Sequence, residues 1–270
     1  MNGISLYRFE PADIRRITFL KDNKLWFSDP ERFNDPLDFD LPIKDLTDRS
    51  GIDEKALRKA AFELVDSIDF EKESHRAYSA KALKFIKEWA KHPKSRTQEQ
   101  VIAEFKLYFK TFGVQCFMKN LDNTLAWSHY ASQHQGFCIE YNFYPMCFAR
   151  ENVKNLAQFP ITYSTAIPEI CLSELIFSPH QALKKFIATK SIEWSYEQEV
   201  RLVNYEQKGC AIEMPRGIKM KRLIAGAKMC PAYKANLREV GEHLGIEVCE
   251  MEISHSSPYK NKWLALKNSD

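Results

Sequence analysis

Three segments of the chain hold side chains whose types and spacing suit chemistry. The first runs Leu6-Tyr7-Arg8-Phe9, then Leu25-Trp26-Phe27-Ser28-Asp29-Pro30 and Phe33-Asn34-Asp35-Pro36. Arg8 lies in an apolar strand pattern and stays charged, so a buried Arg8 needs a carboxylate, phosphate or carbonyl partner. The Asp-Pro and Asn-Asp-Pro units are turn chemistry. On local sequence alone, a salt bridge and two turns are the simpler account. The second segment is Trp127-Ser128-His129-Tyr130-Ala131, then His134 and Gly136-Phe137-Cys138-Ile139-Glu140-Tyr141. His129 suits acid–base work near neutral pH, or the orienting of a substrate. An aromatic core corner is the alternative. His129 and His134 are not an i, i+4 pair and no HExxH occurs, so no metal is expected.

The third segment runs from Lys190 through Glu197-Gln198-Glu199-Val200-Arg201-Leu202. If it is extended from Glu197 onward, Glu197, Glu199 and Arg201 share one face, and Val200 and Leu202 face the core. Two carboxylates about 7 Å apart then stand beside an arginine. They form either a charge ladder on a solvated face or a site where one glutamate polarises a substrate or stabilises a cation.

These segments need a frame. Strand patterns fall at 4–9, 24–28, 114–118, 136–142, 161–164, 199–205, 210–214, 222–225 and 246–252. Helical patterns fall at 14–23, 53–70, 80–90, 97–112, 178–189 and 231–244. The first long helix carries Leu57, Ala61, Leu64 and Ile68 as a core-facing stripe. The last has Pro231 in its first turn and Gly245 at its end. The expected fold is a single α+β domain over 1–270, mostly antiparallel, with a helical insertion at 51–112.

Composition narrows the classes. The 270 residues are 44% hydrophobic and 28% charged, with 39 Lys plus Arg against 36 Asp plus Glu. These are globular values and exclude a disordered or fibrous chain. A net charge of +3 forces no nucleic-acid partner, and Lys219-Met220-Lys221-Arg222 reads as a solvated face. Glycine is scarce, and neither GxGxxG nor GxxxxGK[ST] occurs. The seven cysteines are scattered without a CxxC pair. With no export signal or membrane-spanning run, a reducing cytoplasm is expected.

Taken in order, the segments resemble the bacterial domain-of-unknown-function family 2971. Its pattern FxxPxxFNDPxD stands here at 27–38, and further motifs stand at 6–9, 116–141 and 190–201. Tyr7-Arg8-Phe9 replaces a pattern in which lysine is common, and Met118 follows Cys116-Phe117 where serine is usual. The order is also similar to that of ADP-ribosyltransferase-like folds, which are split, strand-rich α+β cores. There an arginine or histidine on the first strand is followed by a Ser, Thr or Tyr segment and a late Glu-x-Glu.

That resemblance implies NAD as substrate, cleaved at the nicotinamide–ribose bond, with an unspecified macromolecular acceptor in a defence or toxin setting. Glu199 would stabilise the oxocarbenium-like centre, with Glu197 beside it. Arg8 would hold a phosphate, Tyr130 or Trp127 would stack on nicotinamide, and His129 would position the ribose or acceptor. Ser28, Asn34 and Arg201 complete the expected binding set. Two other readings stand beside it. One is a metal-dependent nuclease using Asp35, Asp38, Asp40, Glu197, Glu199 and Lys190. The other is a binding or sensor module presenting Phe105, Phe109 and Phe112 outward from the helical block.

Overall fold

Alternation along the first strand divides the molecule into two faces. Leu6, Arg8 and Glu10 project one way, and Ser5, Tyr7 and Phe9 the other. In the computed structural model, residues 3–44, 54–67, 84, 86–91, 97–144, 155–253 and 264–268 are described. Their strands are β1 (Ile4–Glu10), β2 (Lys24–Phe27), β3 (Ile43–Lys44), β4 (Gly113–Met118), β5 (Phe137–Phe143), β6 (Leu156–Pro160) and β7 (Thr162–Ser164). They continue with β8 (Ile170–Cys171), β9 (Thr189–Ser191), β10 (Glu199–Asn204), β11 (Cys210–Glu213), β12 (Ile218–Ala225), β13 (Glu247–Ile253) and β14 (Leu264–Asn268).

Eight strands form one sheet in the order β14-β13-β12-β5-β1-β4-β10-β6. All its pairings are antiparallel except β12 with β13. The fold is therefore α+β. No helix among the described residues is long and apolar enough to cross a membrane.

The sheet opens at one place. β1 and β5 register over seven residue pairs, whereas β1 and β4 share the single pair Tyr7↔Met118. Beyond it Ser28, at the end of β2, bridges Val114 of β4, with N–H to O distances of 2.8 and 3.0 Å. β1 and β4 thus splay apart, and Arg8 sits at the gap.

Three apolar clusters pin the layers. Leu6, Phe117, Ile139, Tyr141, Val200 and Leu202 pack on one face, with Ile17 and Leu20 and with Leu237 and Val240 of the helix Pro231–Leu244. On the other face, Phe9, Met118, Cys138 and Ile224 pack against Ala126 and Trp127 of the helix Thr124–Tyr130. Further along that face, Val114, Ala157, Phe159 and Val203 meet the helices Gln98–Phe109 and Pro179–Ala188. The space between the last two clusters is polar.

Several expected elements are corrected. The helix expected at 178–189 is Pro179–Ala188, with Pro179 in its first turn, and a further helix, Leu172–Phe177, precedes it. Glu197 is not extended: it ends a 3-10 helix, Ile192–Glu197, followed by left-handed Gln198 at φ 45°. Phe105, Phe109 and Phe112 do not face outward; all three are fully buried in the cluster that contains Val114 and Val203. From the expected stripe Ala61 is buried, while Ile68 and the stretch 80–83 lie outside the described residues.

The turn after Tyr130 is tight. Ser132, Gln133 and His134 all have positive φ, at 48°, 56° and 69°. A Cβ on Gly136 would stand 2.1 Å from the Glu10 carbonyl oxygen. Gly136→Ala is therefore expected to lower stability by about 2 kcal/mol, because two backbone segments must move apart. A urea midpoint equal to that of the wild type would contradict this close packing.

Candidate functional site

The polar space lies over the opening between β1 and β4. Cross-strand pairing puts Glu199 beside Met118 and Arg201 beside Cys116, and the pair Tyr7↔Met118 extends that row to β1. Arg8 reaches the space through the gap. Ser28 and Asn34 come from the segment after β2, and Tyr130 from the end of its helix. Together they line a cavity of about 160 Å³ with Lys190, Glu197 and Asp38. That is the scale of a cavity that accepts one six-membered ring.

Each polar group is fixed by an identifiable element. β9 pairs with β7 in parallel and sets Lys190 beside Tyr163, whose hydroxyl accepts the Glu199 N–H at 2.8 Å. Asn123 joins the two segments that carry Tyr130 and Glu197. Its side-chain oxygen caps the Ala126 N–H at 3.1 Å, and its amide donates to the Tyr196 carbonyl at 2.7 Å.

The charged network is dense and dry. Arg201 is fully buried; its Nη1 donates to Asp38 Oδ1 at 2.7 Å and to the Ile187 carbonyl at 2.9 Å. Arg201 Nε donates to Glu199 Oε1 at 2.7 Å. Lys190 Nζ lies 2.7 Å from Glu197 Oε2 and 3.4 Å from Glu199 Oε2. It also sits over the Trp194 ring, 4.6 Å from the centroid. Tyr130 donates its hydroxyl to Glu197 Oε1, and Asn34 lines the cavity beside them.

In this network three carboxylates meet two cations, so one carboxylate lacks a full counter-charge. The two glutamates divide accordingly. Burial works against ionisation of Glu199, but Arg201 and Lys190 outweigh it and hold the carboxyl at about 2. For Glu197 burial prevails over Lys190 and Tyr130, and its pKa is raised. Burial also pushes Tyr163 up to about 12 and lifts the Cys116 thiol well above its usual range.

Residues 126–202 match the family model DUF2971, described as a protein of unknown function. This supports the DUF2971 resemblance read from the motifs. The DUF2971 match takes in Tyr130, Lys190, Glu197, Glu199 and Arg201, whereas Arg8, Ser28, Asn34 and Asp38 lie before it. No curated protein and no solved structure matches the chain.

Seven of the nine residues expected in a site line this cavity: Arg8, Ser28, Asn34, Tyr130, Glu197, Glu199 and Arg201. Trp127 and His129 do not, and their expected placement is corrected. Trp127 is fully buried in the core, its indole N–H donating to the Leu121 carbonyl at 2.9 Å. It packs edge-on against Phe9 with ring centroids 5.1 Å apart, so it has no face to offer a ligand. His129 is exposed on its helix, outside the cavity, with its ring 6.2 Å from that of Tyr196.

Of the acids of the nuclease reading, Asp38, Glu197 and Glu199 share the cavity with Lys190, whereas Asp35 and Asp40 lie outside it. Asp38 is committed to Arg201, Asp35 caps the Leu37 N–H at 3.0 Å, and Asp40 faces Lys106 at 3.6 Å. Among the described residues no group of three or more His, Cys, Asp or Glu is placed to hold a metal ion. Lys190 and Asp38 were weighed only for that reading. Arg201, in an expected strand, signals the need for a buried acid but not which one, and Lys190 lies outside every expected strand. Tyr163 and Cys116 carried no comparable signal.

Proposed function

We propose that the protein is an ADP-ribosyltransferase-like enzyme that breaks the nicotinamide–ribose bond of NAD. One observation carries this reading. Arg8, Ser28, Tyr130, Glu197 and Glu199 come from distant segments in the expected order and line a single cavity where the sheet opens. Of the alternatives, the nuclease reading shares Asp38, Glu197, Glu199 and Lys190 with this cavity. Its acids there are tied to Lys190 and Arg201, and no group of three is placed to hold a metal ion among the described residues. The apolar helical residues of the other reading are buried.

In this reading the central role passes from Glu199 to Glu197. Arg201 donates to both oxygens of Glu199, so its charge is already neutralised. Among the described residues Glu197 meets only Lys190, which it shares with Glu199, and the uncharged Tyr130 hydroxyl. Glu199 is then a positioning residue that holds Arg201 and stands 3.4 Å from Lys190. Glu197 has the raised pKa, which makes it the better base near neutral pH. In the reaction, the C–N bond breaks and its electron pair leaves with nicotinamide. The acceptor oxygen bonds to the cationic ribose carbon, and its proton passes to the Glu197 carboxylate. The Tyr130 hydroxyl holds Glu197 in place, and Arg8 lies where a phosphate of the substrate can reach it.

The test is nicotinamide release from NAD in the presence of cell lysate as a source of acceptors. The wild type is expected to release it. Glu197→Gln is expected to be slower by about 10²–10⁴-fold while remaining folded. Full activity in Glu197→Gln, or no release by the wild type, would count against the reading.

A further inference from the structure

A second cavity, about 460 Å³, opens on the opposite face of the sheet, and Arg8 and Ser28 line both cavities. Three features of this second cavity point to one kind of ligand. The first is charge. Arg8 and Arg16 share the single carboxylate of Glu10, and exposed Arg32 stands at the same cavity. Asp13, paired with Arg15, and Lys24 line it too, so two carboxylates stand against five cations. The cavity favours an anion, and guanidinium groups suit phosphate oxygens.

The second feature is an open aromatic face. Trp26 is 43% exposed. Phe19 holds it edge-on, with centroids 6.3 Å apart and planes at 90°. A flat ring can stack there. The third is an empty acceptor. Gln115 lines the cavity at 1% exposure, and its side-chain carbonyl oxygen has no hydrogen-bond partner among the described residues. A buried acceptor is ordinarily satisfied, and a ligand N–H would do so.

We infer that this cavity binds a nucleotide whose base carries an exocyclic amino group, with AMP as the simplest probe. The phosphate lies among Arg8, Arg16 and Arg32, the base stacks on Trp26, and the amino group donates to Gln115. The inference stands without the NAD reading, because Trp26, Gln115 and Arg16 do not line the first cavity. If both hold, Arg8 and Ser28 lie beneath the phosphates that join the two halves of one dinucleotide.

Isothermal titration of the full chain with AMP, IMP, adenosine and inorganic phosphate tests it. AMP is expected to bind. IMP, which lacks the amino group, and adenosine, which lacks the phosphate, are each expected to bind about tenfold more weakly. Trp26→Ala is expected to weaken AMP about tenfold. Arg16→Ala, at a half-exposed position, provides a second variant with a similar loss. Glu197→Gln is expected to bind AMP as the wild type does. Absence of AMP binding overturns the inference, as does binding that both variants leave unchanged. Equal affinity for AMP and phosphate would reduce the site to an anion site and also overturn it. AMP binding without nicotinamide release would reject the NAD reading alone, and release without AMP binding would reject this inference alone.

Discussion

Arg201→Met is expected to lower folding stability by about 3–5 kcal/mol, the loss typical when one partner of a buried ion pair is removed. Arg201 has no exposed surface and is bonded to Asp38, Glu199 and the Ile187 carbonyl at once. Its guanidinium also lies 5.6 and 5.4 Å from the Phe33 and Phe39 ring centroids. Methionine keeps much of the side chain's volume, so the loss reports charge and hydrogen bonds more than a cavity. Asp38 is left without the cation it is bonded to, and Glu199 retains only Lys190.

Arg201→Lys is expected to fall between, since it restores a charge without the planar fork that meets two carboxylates. Removing Asp38 as well, as Asp38→Leu in the Arg201→Met background, is expected to recover part of the loss. Urea unfolding of the four proteins measures all of this. A loss below about 1 kcal/mol for Arg201→Met would show that the network is not what holds these segments together.

The same network shows what the sequence could and could not convey. Strand alternation located β1, β4, β5 and β10, because each packs an apolar face whose period is visible locally. Pro231 and Gly245 bounded the last long helix for an equally local reason, a fixed φ at one end and a left-handed residue at the other. Arg8 announced its need for a partner, and the partner lay two residues away on the same strand face, at Glu10. The Arg201–Asp38 pair was beyond such reasoning. The two residues are 163 positions apart, and only the closing of the sheet brings them together.

Glu197 reached the cavity by a route that period two does not describe, through a 3-10 turn and a left-handed residue. Trp127 misled for a different reason. Residue type alone does not separate a stacking platform from a core side chain, and the Asn123 cap that turns the segment into a helix packs that indole inward. The start signal of that helix is local, in Asp122-Asn123-Thr124.

Stability against pH is expected to carry two opposed contributions from adjacent glutamates. Glu199 is lowered from 4.5 to about 2, since Arg201 and Lys190 overcome its burial. Its contribution is fully present above pH 4.5 and is lost as pH falls toward 2. The difference amounts to about 3 kcal/mol by linkage. Glu197 is raised above 4.5 by burial. Its contribution is fully present below pH 4.5 and is lost as pH rises through its folded value. The first glutamate therefore favours the folded state at neutral pH and the second opposes it.

Urea unfolding of the wild type, Glu199→Gln and Glu197→Gln from pH 3 to pH 7 separates the two. Differences between proteins cancel the contributions of other carboxyls, such as Asp13 and Glu140. Glu199→Gln is expected to lose the part of the acid slope that Glu199 supplies. Glu197→Gln is expected to keep that slope and to lose the decline toward neutral pH. Difference curves of the same sign for the two variants would refute the division of charge drawn from the geometry. A carboxyl buried against its own ionisation weakens the fold at neutral pH, and perturbed groups of that kind cluster where chemistry is done. The opposite slopes would thus identify Glu197 as the residue whose environment is set by function, and Glu199 as the one that holds the network in place.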